Sequence, residues 1–407
     1  MQVTEEYTGI RTRSRFGDLS VRNDTISTRE FDFTSHAYKL LPGIDEHYCG
    51  THDRSFQTDF SYYTEVGTIN RDVYIRDIFV EENQRFTYQI LMPSGVSRAS
   101  KVTFLFHGFN EKDWKKYIPW AEAICEGTGS AVVLFPLAFH MQRAPKLWSS
   151  PRDMYRLSQE RRQRFPDVMQ SSLSNVAISM RLHSMPQRFI WSGLQSYYDV
   201  IQLIEEFKSG KNDAIHPDFS FDIFAYSIGG FLAQILKMTN YREYFSKAKV
   251  MLFCSGSTFN RFSPVSKFIL DSEANVSLYS YMVEHFDRML EKDPMLNHFI
   301  NEGHPEGKVF HAMLDFQKMR DFREDLLRRY EDQFYAITLK EDSIIPSFEI
   351  MNTLQGAYRD IQIPVDEMDF NRPYTHENPF ASFEADPELA EQDFERVFEK
   401  VVGFFRG

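Results

Sequence analysis

The chain has 407 residues, 42% of them hydrophobic, 26% charged and 15% aromatic, with 38 Phe; this is globular usage that excludes wholesale disorder and can build a large core without disulfides. A net charge of −12 has the wrong sign for duplex DNA or an anionic membrane surface. No run approaches the ~18 apolar residues of a spanning helix, the first residues lack a hydrophobic leader core, and Cys49, Cys125 and Cys254 are widely spaced without a C-x-x-C, which argues against a disulfide framework or zinc-knuckle array and fits a reducing cytoplasm.

Residues 1–72 are polar and weakly periodic, with Phe31, Phe33, Tyr38, Leu40 and Leu41 as apolar anchors. They are expected to form an N-terminal extension packed on a core. VYIRDIFV (73–80) and RFTYQILMP (85–93), separated by the polar EENQ, predict a hairpin. KVTFLFHG (101–108) is a continuous apolar run, as in a strand buried on both faces. A helix follows, carrying Trp114, Tyr117, Trp120, Ala121 and Ile124 at helical spacing, and then the strand SAVVLFP (130–136). Residues 140–190 interrupt this rhythm. Between 141 and 190 there are nine Lys/Arg against three acids, +6 in an acidic chain. The alternation resumes with an amphipathic helix (193–210), the strand FSFDIFAYS (219–227), the helix GGFLAQILKMT and the strand KVMLFCSGS (249–257). Residues 258–332 read as helical, with stripes of Met and Phe. QFYAITLKE (333–341) and DIQIPVDEM (360–368) are late strands, and Asp386 and Pro387 open a terminal helix over 387–405. Strands alternating with helices predict an α/β protein with a mostly parallel central sheet covered on both faces.

In FDIFAYSIGGFLAQ a buried-type strand runs into Ala225-Tyr226-Ser227-Ile228-Gly229 and leaves as a helix. That is the setting of a nucleophile elbow, in which a serine sits exposed on a strained strand-to-helix turn. Helix and strand approach so closely there that the positions two before and two after must be small, as Ala225 and Gly229 are. The helix N-terminus also aims N–H groups where negative charge can develop. A plain Ser-x-Gly turn is the competing reading, and the flanking strand and helix weigh against it. His107-Gly108-Phe109-Asn110-Glu111 closes an earlier strand.

These strings resemble the α/β-hydrolase superfamily. The resemblance covers roughly residues 75–407, apart from the two interruptions. It implies an oxyanion hole made by the backbone N–H groups of Phe109 and Ile228, with Gly108 and Gly229 as the loop and elbow glycines and His107 as a bracing residue. Asp342, just past a strand and followed by Ile344-Ile345-Pro346, fits the family's acid, with Glu341, Asp332 and Asp369 as alternatives. His376, past the last strand and before the terminal helix, fits the base among 12 histidines. The order Ser227, Asp342, His376 is the α/β-hydrolase order. The stretch PLAFHMQRAPKLWSSPRDM resembles a set of uncharacterised bacterial hydrolase-like proteins.

The expected organisation is an extension (1–72), a catalytic domain (73–257 and 333–407, with the basic insertion 140–190) and a helical cap (258–332). The cap would roof an apolar acyl or aromatic pocket. Arg143 is the candidate for binding an acidic group on the substrate or leaving group. His140, Trp148 and Tyr226 are candidates for lining the pocket, with core packing as the alternative for each. The expected reaction is ester hydrolysis through an acyl-enzyme on Ser227. Peptidase, amidase or thioesterase chemistry on the same triad, and a non-catalytic binding protein on the same fold, are the alternatives. No cofactor, metal or nucleic acid is expected; the partner is a small ester or acyl molecule, and the oligomeric state is not legible.

Overall fold

A computed structural model describes residues 26–43, 46–57, 76–380 and 387–407. The strands are β1 (Ile26–Thr34), β2 (Glu46–Cys49), β3 (Arg54–Gln57), β4 (Arg85–Pro93), β5 (Ala99–Phe106), β6 (Ala131–Leu134), β7 (Ile215–Tyr226), β8 (Val250–Phe253), β9 (Phe334–Leu339) and β10 (Val365–Met368). Among the described residues, eight of them form one sheet in the order β1-β4-β6-β5-β7-β8-β9-β10, and β2 and β3 pair separately. From β6 to β10 every neighbouring pair is parallel, and β4 alone runs against its neighbours β1 and β6.

The helices that cover the sheet or shape its surroundings include α1 (Ile118–Thr128), α2 (Val176–Ser184), α3 (Arg188–Lys208), α4 (Ile228–Thr239), α5 (Pro294–Asn301), α6 (Pro305–Ala312) and α7 (Pro387–Arg406). The central strands are apolar on both sides because both sides are covered. Along β5, Val102, Phe104 and Phe106 join one core, with Leu194 and Val200 of α3 and Phe231 and Leu236 of α4. Leu105 faces the other core, with Trp120 of α1 and Phe394, Val397 and Phe398 of α7. Along β7, Ile223 and Ala225 face the first core, Phe224 and Tyr226 the second. The period of two places alternate residues on opposite faces, and each fully buried large side chain stabilises the fold by ~1.5–3 kcal/mol. This eight-stranded, mostly parallel sheet with helices on both faces is the α/β-hydrolase fold expected from the sequence. Pro387 stands at the first position of α7, while Asp386 lies outside the described residues.

The hairpin expected over 73–93 does not form. Residues 73–75 lie outside the described residues, Asp77–Phe79 is a 3-10 turn and Glu81–Gln84 a single helical turn. Asp77 is buried and accepts hydrogen bonds from Arg181 at 2.6 and 3.2 Å, which ties this segment to α2 instead of to β4. The antiparallel partner of β4 is β1, in register from Ile26↔Pro93 to Thr34↔Arg85. Part of the expected extension therefore supplies a sheet strand; residues 1–25, 44–45 and 58–72 of it lie outside the described residues. No helix among the described residues is long and apolar enough to cross a membrane.

Candidate active site

Ser227 sits between β7 and α4 with φ 54° and ψ −125°. A non-glycine residue there is strained by about 1–3 kcal/mol, and neighbours hold it in place. The Ser227 N–H donates to Phe253 O (3.2 Å), while Ser255 Oγ–H (2.6 Å) and the Gly230 N–H (2.9 Å) donate to its carbonyl. A Cβ on Gly229 would lie 2.6 Å from Phe106 O and 2.7 Å from His107 O. The elbow glycine is thus required by the approach of α4 to the end of β5.

Asp342 follows β9. Its Oδ1 accepts the N–H groups of Ile344 (2.9 Å) and Ile345 (3.0 Å). This leaves Oδ2 for His376 Nδ1 at 2.7 Å. His376 Nε2 lies 2.7 Å from Ser227 Oγ. A carboxylate only accepts, so Nδ1 carries the proton and Nε2 offers its lone pair to the hydroxyl. Asp342, His376 and Ser227 are all buried. The Tyr226 ring stacks on the His376 imidazole (centroids 5.4 Å, planes 20° apart), and its hydroxyl donates a short hydrogen bond to His376 O. Tyr226 therefore braces the histidine loop; it is not among the residues lining the neighbouring cavity.

His107 is fully buried, and burial holds its pKa down at about 3, so the ring is neutral. The Leu137 N–H donates to Nε2 at 2.9 Å, so Nδ1–H is the donor to Gly108 O at 2.7 Å. Pinning that carbonyl fixes the Gly108–Phe109 peptide plane, and across a trans peptide the Phe109 N–H points the opposite way. The Gly108 N–H donates to Tyr117 Oη at 2.9 Å, and a Cβ on Gly108 would lie 2.9 Å from the Tyr226 ring. Among the described residues neither the Phe109 nor the Ile228 N–H has a hydrogen-bond acceptor.

A cavity of about 60 Å³ adjoins these two residues. Its walls are nearly all apolar: Phe109 and Ile228 stand with Leu137, Ile178 of α2, Phe231 of α4 and Phe310 of α6. Both interruptions of the strand–helix rhythm thus contribute walls. His140 lines the cavity; its Nδ1 lies 2.8 Å from Ala138 O, its Nε2 has no partner, and burial keeps its pKa well below the ordinary value.

Besides Tyr226, two more of the expected pocket residues do not line this cavity. Arg143 is fully buried, and its guanidinium pairs with Asp199 (2.7 Å) and donates to Asn83 Oδ1 (3.1 Å) and Pro136 O (2.9 Å) while lying over the Phe86 ring. It has no face left for a substrate. Trp148 packs into the core and does not line the cavity. Three other arginines of the basic insertion are also paired within the fold: Arg161 forks onto Asp271, and Arg181 and Arg188 share Asp77.

The sequence shows no clustered metal ligands, yet the fold gathers Cys49, His52, His298 and His304 at one point. The only local signal is Cys49-x-x-His52, and its complement lies some 250 residues away.

Among solved structures, the chain is similar to carboxyl esterase 2 of the fungus Tuber melanosporum (13% identity, 79% of this chain and 82% of that one, TM-score 0.42). It is similar also to esterase Est22 (10%, 94% and 82%, TM-score 0.44) and to a monoacylglycerol lipase of Paleococcus ferrophilus (14%, 76% and 96%, TM-score 0.37). No curated protein matches it in sequence. A family model does match, over residues 1–406, and by that match the chain belongs to the family of unknown function DUF6051.

Proposed function

We propose that this protein is a serine hydrolase that cleaves carboxylic esters through an acyl-enzyme on Ser227. The observation that carries the reading is the unbroken chain from Ser227 Oγ to His376 Nε2 and from His376 Nδ1 to Asp342 Oδ2, both links 2.7 Å. Serine is a weak nucleophile until a base accepts its proton. His376 takes that proton as Oγ attacks the ester carbonyl, and Asp342 holds the tautomer and stabilises the imidazolium. The N–H groups of Phe109 and Ile228 receive the oxyanion. Collapse of the tetrahedral intermediate passes the proton from His376 to the departing alkoxide. Water, activated by the same histidine, then attacks the acyl-enzyme and releases the carboxylic acid.

The cavity beside Phe109 and Ile228 takes the acyl group, which is accordingly apolar. Residues 258–332 act as a cap over it, with Phe310 as their contribution to its wall. An acidic substrate is not part of this reading, since Arg143 is taken by Asp199.

A fluorophosphonate probe tests the nucleophile. Wild type is expected to label, and Ser227→Ala to stay dark. Asp342→Asn should lower kcat by about 10⁴-fold through the wrong tautomer. Equal labelling of wild type and Ser227→Ala sinks the proposal. p-Nitrophenyl esters of rising chain length, run beside the matching anilides and thioesters, then identify the scissile bond.

A further inference from the structure

Away from Ser227, the turn of the β2–β3 hairpin meets the junction of α5 and α6. Cys49 and His52 come from the hairpin, His298 from α5, and His304 from the residue before α6. One ligand atom from each lies within 4.8 Å of all the others. Cys49 Sγ is 3.5 Å from His52 Nδ1 and 3.4 Å from His304 Nε2, and His304 Nε2 is 3.3 Å from His298 Nε2. Zinc in a tetrahedron, with Zn–S about 2.3 Å and Zn–N about 2.0–2.1 Å, sets edges of about 3.5 Å between sulfur and nitrogen and about 3.3 Å between nitrogens. The three separations match those edges.

The surroundings orient the same atoms. His304 Nδ1 lies 2.9 Å from Glu306 Oε1, and Glu306 also accepts a short hydrogen bond from Tyr198. His298 Nδ1 lies 3.1 Å from Glu302 Oε2, and Glu302 pairs with Arg54 of β3. Carboxylates fix the proton of each ring on Nδ1 and leave a lone pair on Nε2. A carboxylate behind the ring is the usual support of a metal-bound histidine. It also creates a conflict, because two buried acceptor nitrogens then face each other at 3.3 Å. The one nearby Cys49 S–H can satisfy only one of them, and a cation satisfies both. Gly303, with φ +91°, makes room for the His52 ring: a Cβ there would lie 2.9 Å from His52 Nε2.

We propose that Cys49, His52, His298 and His304 bind one zinc ion in a structural site that staples the β2–β3 hairpin to the α5–α6 junction. A thiolate with three imidazoles selects zinc by softness and tetrahedral geometry. Binding releases the Cys49 thiol proton to solvent. All four positions are filled by protein, so no water is activated there. The staple fixes the start of α6, which carries Phe310 to the cavity wall. The site itself does not depend on the hydrolase reading.

The test uses the full chain. Protein made in zinc-supplemented medium and dialysed against metal-free buffer is expected to hold about one zinc per chain by plasma emission spectroscopy. Stripping with a chelator should lower Tm, and added zinc should restore it. Cobalt added to the stripped protein should give the intense visible bands of a tetrahedral site together with thiolate-to-cobalt charge transfer. Cys49→Ser should abolish the charge-transfer band. His52 is exposed, so His52→Ala should fold normally by circular dichroism while holding zinc more weakly. Glu306→Gln should weaken zinc by about 10–100-fold. Stripped wild-type protein that shows neither a Tm response to zinc nor cobalt bands overturns the site. So does zinc held equally well by wild type and by the Cys49→Ser, His52→Ala double variant. Fluorophosphonate labelling of the same samples keeps failure of this site separate from failure of the active-site reading.

Discussion

At the scale of single residues, the approach of α4 to the end of β5 sets what position 229 can carry. A methyl group on Gly229 would press against two backbone carbonyls that cannot rotate away. Gly229→Ala should therefore push α4 off β5, destabilise the fold by about 1–3 kcal/mol as overpacking does, and slow fluorophosphonate labelling through misplacement of Ser227 and the Ile228 N–H. Urea midpoints and labelling rates check the two effects separately. This position was legible in the sequence because the elbow is local: strand, small residue, serine, glycine and helix occupy one continuous string. Arg143 was not. Its partners Asp199 and Asn83 lie 56 and 60 residues away, and a count of charges in a segment cannot say what the fold sets against them. Removing one member of a buried pair strands the other charge, so Arg143→Ala should destabilise by about 3–5 kcal/mol. Its KM should stay at the wild-type value for any ester the protein cleaves. A raised KM with an unchanged unfolding midpoint would return Arg143 to the substrate.

At the scale of elements, the site depends on what each segment packs against. The stretch 77–84 has strand-like residues on one side of EENQ, yet capture of Asp77 by Arg181 and Arg188 outweighs local β propensity. β4 pairs with β1 along nine residues, and on the core face Phe33 packs on Phe86 and Phe31 stacks on Tyr88. The helical character of 258–332 was legible from its Met and Phe stripes, whereas the identity of the residue reaching the cavity was not. Phe310 of α6 reaches it because residue 193 on α3 is glycine, whose added Cβ would lie 2.5 Å from the Phe310 ring. Phe310→Ala should lengthen the cavity. The expected outcome is a shift of kcat/KM toward longer p-nitrophenyl esters, with a stability loss of about 3–5 kcal/mol. An unchanged chain-length profile would remove this cavity as the acyl pocket.

At the scale of the whole molecule, the fold keeps His107 and His140 neutral, and this ties global stability to pH. His107 has its pKa lowered to about 3 chiefly by burial, with Lys116 and Arg143 acting in the same direction and the Gly108 carbonyl opposing them. His140 is lowered too, by burial and by His107. The unfolded chain titrates these rings near 6.5. Between pH 6.5 and about 3 the unfolded state therefore binds protons that the folded state refuses, so stability falls as the pH falls. Each ring contributes a slope of about 1.4 kcal/mol per pH unit for as long as the fold keeps it neutral below pH 6.5, and none above it. Unfolding free energies from urea titrations between pH 7.5 and about 4.5 should be flat at first and then fall with the summed slope of the two rings, about 2.8 kcal/mol per pH unit. His140→Gln removes one titrating ring, so its curve should fall less steeply below pH 6.5 while running parallel to wild type above it. Equal slopes for the two proteins would mean that His140 is protonated inside the fold, and that the cavity wall carries a cation in the acid range.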